Sequence, residues 1–70
     1  MEFDFHFLNL REVQRLSGLG KTTIYRYMAE GTFPRNVSLG GRSVAWVSTE
    51  IEEWMRERVE DRYEPYGKYK

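Results

Sequence analysis

The spacing of apolar residues along this 70-residue chain changes period several times, and each change marks an element. Over the first eight residues Phe3, Phe5 and Phe7 alternate with Asp4 and His6. That period of two predicts a short strand or an extended arm with one face packed on the domain. From Leu10 the spacing turns helical, with Leu10, Val13 and Leu16 inward and Arg11, Glu12 and Arg15 outward. Asn9 is a favoured N-cap and Glu12 stands three residues on, a capping-box pattern, while Gly18 suits the helix end. A second helix is predicted over 21–30 behind Gly20 as N-cap, with Ile24, Tyr27 and Met28 on one stripe. Gly31 ends it and Pro34 forbids a continuation. Residues 35–47 return to period two: Val37 and Leu39 alternate with Asn36 and Ser38, and Val44 and Trp46 with Ser43 and Ala45. Gly40-Gly41 between the runs can supply the positive φ of a tight turn, so the segment reads as a β-hairpin with Arg42 at its tip. Ser48 or Thr49 caps a last helix, and Thr49 has Glu52 at capping-box distance. Ile51, Trp54, Met55 and Val59 form its stripe, and Pro65 and Gly67 stop it around Arg62.

The first two helices are joined by Ser17-Gly18-Leu19-Gly20, a short glycine-containing turn, which makes them a helix-turn-helix. A plain antiparallel pair would share the pattern, but the first helix is too short to be stable by itself and needs a third element over it. The predicted fold class is mainly α with a small β-hairpin, one domain over 1–62 followed by a mobile tail at 63–70. The expected core is Leu10, Val13, Leu16, Leu19, Ile24, Met28 and Phe33 from the first half. Leu39, Val44, Trp46, Ile51, Trp54 and Met55 complete it.

Composition narrows the function. Without cysteine there is no disulfide framework, zinc finger or thiol chemistry. No apolar run approaches the ~20 residues of a membrane span, and the start lacks the basic and apolar stretches of a secretory signal, so the expected compartment is the cytoplasm. A domain this short buries only about 60% of its unfolded surface and has little room for an enclosed substrate pocket, so no enzyme activity is expected. Eleven bases balance eleven acids, but unevenly. Between 11 and 47, Arg11, Arg15, Lys21, Arg26, Arg35 and Arg42 face only Glu12 and Glu30, whereas 48–64 holds seven acids against Arg56, Arg58 and Arg62. Six bases in that stretch are compatible with an ordinary solvated surface and equally with a polyanion partner.

Three patterns bear on chemistry. Gly18-Leu19-Gly20-Lys21-Thr22-Thr23 looks like a phosphate-binding loop, but that motif needs glycine where Arg15 stands and a strand where a helix is predicted, so nucleotide hydrolysis is excluded. His6 has no second histidine or cysteine near it and reads as a surface residue; Glu50, Glu52 and Glu53 are explained by the helix dipole. No catalytic, cofactor or metal site is expected. The remaining constellation is basic and polar. Lys21, Thr22 and Thr23 stand at a helix start, with Tyr25 and Arg26 one turn on and Arg42 at a hairpin tip. Backbone N–H groups, hydroxyls and cations so placed suit phosphates and base edges, and the second helix of such a pair is the one that enters the major groove.

These residues also resemble a family. Leu19-Gly20-Lys21-Thr22-Thr23-Ile24-Tyr25-Arg26 is similar to the core motif of AlpA-like phage and prophage regulators. Glu30-Gly31-Thr32-Phe33-Pro34, Leu39-Gly40-Gly41-Arg42-Ser43-Val44-Ala45-Trp46 and Glu50-Ile51-Glu52-Glu53-Trp54 resemble its later motifs, in the same order. The likeness covers about 7–60. It implies a MerR-like winged helix-turn-helix, three helices and a two-stranded antiparallel wing, that binds double-stranded DNA. The recognition helix would be about 21–30 and the wing about 37–46. Thr22, Thr23, Tyr25 and Arg26 stand where that family's recognition helix meets DNA, and Arg42 stands in its wing. Lys21 and Tyr25 are assigned mainly to phosphate, Arg26 to base edges, Thr22 and Thr23 to either, and Arg42 to the flank. Members act as transcriptional regulators or as excisionases, the recombination directionality factors that help a tyrosine integrase. Gly20 departs from the usual Ser or Thr cap. Cooperative self-association on repeated sites is expected, with Tyr63, Tyr66 and Tyr69 of the tail as contacts. An alternative of another class is a protein-interaction module that docks a basic partner through the acidic last helix.

Overall fold

A computed structural model describes residues 3–62. The tail at 63–70, with its expected tyrosine contacts, lies outside the described residues. The elements run β1 (Phe7–Leu8), α1 (Leu10–Ser17), α2 (Lys21–Glu30), β2 (Val37–Gly40), β3 (Ser43–Val47) and α3 (Ser48–Asp61). Three helices and an antiparallel hairpin make a mainly α fold of the winged helix-turn-helix kind. A two-residue third strand joins the hairpin, giving the sheet order β1-β3-β2.

Local chemistry explains the helix-turn-helix. Asn9 Oδ1 accepts the Glu12 N–H and Glu12 Oε1 accepts the Asn9 N–H, each at 2.8 Å, which is the expected capping box. Two otherwise orphaned donors are thereby satisfied together. Asn9→Ala is expected to lower stability by about 1 kcal/mol, read as a reduced urea midpoint with an unchanged m-value. In the turn, the Ser17 hydroxyl donates to the Val13 carbonyl at 2.7 Å and accepts the Leu19 N–H at 3.2 Å. α2 ends in a Schellman motif: Gly31 N–H reaches the Met28 carbonyl at 3.1 Å and Thr32 N–H the Tyr27 carbonyl at 2.9 Å. Gly31 sits at φ 80°, in the left-handed region that glycine adopts without steric penalty.

The central core is Leu8, Val13, Ile24, Phe33, Trp46 and Ile51, with Leu10, Leu19, Tyr27, Met28, Trp54 and Met55 packed against it. Ala45 is also buried. Three expected core residues are not. Leu16 is 49% exposed. Six residues after Leu10, it is rotated by about 120° around the helix, off the stripe that Ser17 occupies instead. Leu39 is 51% exposed because it is the extra residue of a β-bulge. Ser38 pairs with Val44 and Gly40 with Ser43, leaving Leu39 unmatched. Val44, opposite Ser38, is 37% exposed. β3 is buried where it reaches the helices, at Ala45 and Trp46, so period two fails along the strand.

The N-terminal arm also differs from expectation. Phe3, Phe5 and Phe7 are exposed and pack on one another, with ring centroids 5.3 and 6.0 Å apart. Leu8, on the other phase, is the buried residue, and β1 pairs Phe7 with Val47 and Leu8 with Trp46. The expected cap of α3 is absent. Val47 is the N-cap and makes no side-chain bond, so neither Ser48 nor Thr49 caps the helix and no capping box forms. Ser48 is occupied elsewhere: its hydroxyl accepts the His6 N–H at 2.9 Å and its N–H donates to the His6 carbonyl at 2.8 Å. This pair fastens the arm to the start of α3. His6 itself is exposed, as expected of a lone histidine with no ligand partner, although the phase it shares with Leu8 is not the outward one.

Two indoles hold the loop between α2 and β2. Trp46 Nε1–H donates to the Pro34 carbonyl at 3.1 Å and Trp54 Nε1–H to the Thr32 carbonyl at 2.7 Å. The Trp54 ring meets Phe33 edge-on at 4.7 Å. Among the described residues no buried side-chain nitrogen or oxygen lacks a hydrogen-bond partner.

Candidate nucleic-acid interface

The α-helical advance of about 100° per residue decides which α2 side chains share a face. Lys21, Thr22, Tyr25 and Arg26 fall within one arc of about 140°, with Ile24 on the far side. The burial pattern follows that arithmetic. Ile24 is fully buried, the other four are exposed, and Thr23, about 60° outside the arc, is half-buried. Four of the five sequence-predicted residues of α2 are therefore brought together, and Thr23 stands off their face.

Each has a distinct setting. α2 begins at Gly20 with no side-chain cap bond, so its first N–H groups have no partner from a cap residue. Such groups favour an external anionic acceptor. The Arg26 guanidinium lies 5.5 Å from the Tyr27 ring centroid, which supports an exposed cation without neutralising it. Among the described residues neither Lys21, Arg26 nor Arg42 is ion-paired. Arg42 is exposed in the two-residue turn of the wing. The turn is made by Gly40 at φ 114° and Gly41 at φ 55°, a path that a side chain at either position would strain.

Tyr25 is the most constrained of the set. Its ring meets Trp46 at 6.1 Å in an edge-on arrangement, and its hydroxyl accepts from Asn36 Nδ2 at 3.4 Å. Asn36 and Trp46 thus position a residue of the exposed face. Sequence spacing did not single out this role for either, because the contacts cross a loop that periodicity does not describe.

The strand that a phosphate-binding loop requires before Gly18 is replaced by α1. Among the described residues no group of three or more His, Asp or Glu side chains could hold a metal ion. No helix among them is long and apolar enough to cross a membrane.

Residues 6–59 match the family model described as Prophage CP4-57 regulatory protein (AlpA), a span that takes in β1 through most of α3. The chain belongs to the AlpA family. Two relatives are similar to it. One, from Enterobacteria phage P4, bears the name Uncharacterized protein ORF88. It is 45% identical over 60 residues, covering 86% of this chain and 68% of that protein. The other is the DNA-binding transcriptional activator AlpA of Escherichia coli (strain K12). It is 35% identical over 57 residues, covering 73% of this chain and 81% of that protein. The AlpA match includes all six of Lys21, Thr22, Thr23, Tyr25, Arg26 and Arg42.

Proposed function

We propose that this AlpA-family chain is a sequence-specific DNA-binding regulator of a prophage or genomic island, working in the cytoplasm without catalysis or cofactor. α2 enters the major groove, Lys21 and Tyr25 meet phosphates, Arg26 reads base edges, and Thr22 and Thr23 contact either. Arg42 carries the wing to the flanking phosphates or minor groove. The observation that supports this most is the single exposed face of α2, polar and cationic, with none of its charges ion-paired among the described residues. The relative from Escherichia coli bears the name of a DNA-binding transcriptional activator, which favours the same class of partner.

The same contacts serve two roles, transcriptional regulation and excision as a recombination directionality factor beside a tyrosine integrase. We propose one or both for this chain, told apart by the DNA sites it selects. Its eleven bases and eleven acids leave the whole chain without net charge, so attraction to a polyanion comes only from the cationic face of α2 and the wing. Occupancy then depends on several copies bound side by side on repeated sites, a cooperative assembly in which neighbours supply what one copy lacks.

Selection of protein-bound fragments from sheared genomic DNA of the source, followed by sequencing, tests the proposal. Enrichment of repeated sites beside an integrase gene or attachment site is the outcome expected of an excision factor, and promoter sites that of a regulator. No enrichment at low salt would remove DNA binding altogether. On the selected site, Lys21→Ala is expected to weaken binding equally on specific and random duplexes and to reduce the salt slope by about one.

A further inference from the structure

An open groove of ≈ 850 Å³ runs between the loop after α2 and the first turns of α3. Its floor is apolar, formed by Phe33, Pro34, Val37 and Trp54. The edge-on packing of Trp54 on Phe33 and the Trp54 bond to the Thr32 carbonyl hold that floor in one shape. One wall is anionic. Glu50, Glu53 and Glu57 stand at i, i+3 and i+7 on α3, all exposed and none ion-paired among the described residues. Two guanidiniums line the groove as well, so its charged lining is three carboxylates against two arginines. Arg58 is ion-paired with Asp61 at 2.6 Å and lies 5.6 Å from the Trp54 ring centroid, and Arg35 stands on the loop side.

A wall of three carboxylates repels a phosphate backbone and attracts the opposite sign. The aromatic floor adds a place where a large apolar side chain can be desolvated, the kind of anchor that carries most of the affinity in protein interfaces. We propose that this groove docks a basic peptide segment of a protein partner, with Lys or Arg against Glu50, Glu53 and Glu57 and one large apolar side chain over Trp54 and Val37. The inference stands on the groove and its charge. A second copy docked through Lys21, Arg26 or Arg42 would lose the proposed DNA contact, and one docked through its exposed Arg11, Arg15 or Arg56 is told apart by sedimentation.

The test is selection of displayed random peptides on the full chain, followed by titration of the best synthetic peptide into ¹⁵N-labelled protein. Enriched peptides should carry Lys or Arg around a Trp, Phe, Leu or Met, and binding should shift the Trp54 indole N–H and the amides of Thr32, Phe33 and Val37. The double variant E53Q/E57Q, folded by circular dichroism, should bind that peptide about tenfold more weakly at low ionic strength. It should bind DNA no more weakly than the parent. The proposal is overturned by an absence of enrichment, by enriched peptides lacking bases, by shifts confined to α2 and the wing, or by equal affinity in the variant. Self-association of the parent chain that the same variant abolishes, seen by sedimentation, would overturn it in favour of a second copy.

Discussion

Trp46→Ala is expected to remove a large part of the domain's stability and to move its urea midpoint strongly downward. Trp46 is fully buried, and its β-strand partner across the sheet is the buried Leu8. Truncating a buried tryptophan to alanine costs ~3–5 kcal/mol through lost transfer energy and the cavity left behind. It also deprives the Pro34 carbonyl of its indole donor and removes the surface against which Tyr25 stands. A domain of this length has only roughly 4–10 kcal/mol of stability in total. Urea denaturation followed by circular dichroism, with Trp54→Ala beside it, measures the effect. Trp54 is only half-buried and lies on the groove, so its truncation should cost less. A larger loss in Trp54→Ala than in Trp46→Ala would move the centre of the core away from β3.

Arg26→Ala is the second large effect, and it falls on recognition. A bidentate arginine on a base edge contributes ~1–3 kcal/mol of discrimination, equivalent to about 5- to 150-fold in the ratio of specific to random affinity. Competition binding on the selected site against random duplex should show that ratio falling while affinity for random DNA changes little. Arg26→Lys sharpens the comparison, because it keeps the charge and loses the planar fork. It should bind random duplex like the parent and discriminate like the alanine variant. Equal weakening on both duplexes in Arg26→Ala would reassign Arg26 to phosphate.

What could be read from the sequence follows the range of the interactions involved. The capping box of Asn9 and Glu12, the glycine end of α2 and the exposed arc of Lys21, Thr22, Tyr25 and Arg26 depend on residues a few positions apart. Helical periodicity fixes them without reference to the rest of the chain. The departures depend on distant partners. Ser48 looks like a cap until His6, forty-two residues earlier, takes its hydroxyl and its N–H. Leu39 looks like core until the pairing with β3 leaves it as the surplus residue of a bulge. Leu8 looks polar-phase until β1 pairs with β3 and turns it inward. In the site, Tyr25 was legible as an exposed aromatic residue. Its attachment to Asn36 and Trp46 was not, because it is a property of the loop's path.

The two indole bonds to the Thr32 and Pro34 carbonyls have a consequence for fit. They fasten the stretch of chain that joins α2 to the wing, so Arg26 and Arg42 project from a frame already set before any duplex arrives. In the proposed mode of DNA binding, backbone held in this way leaves less of the adjustment to the protein. The accommodation falls on the DNA, whose bendability depends on base step. Flexible pyrimidine–purine steps lying between the helix and wing contacts would therefore be selected at positions that no side chain touches.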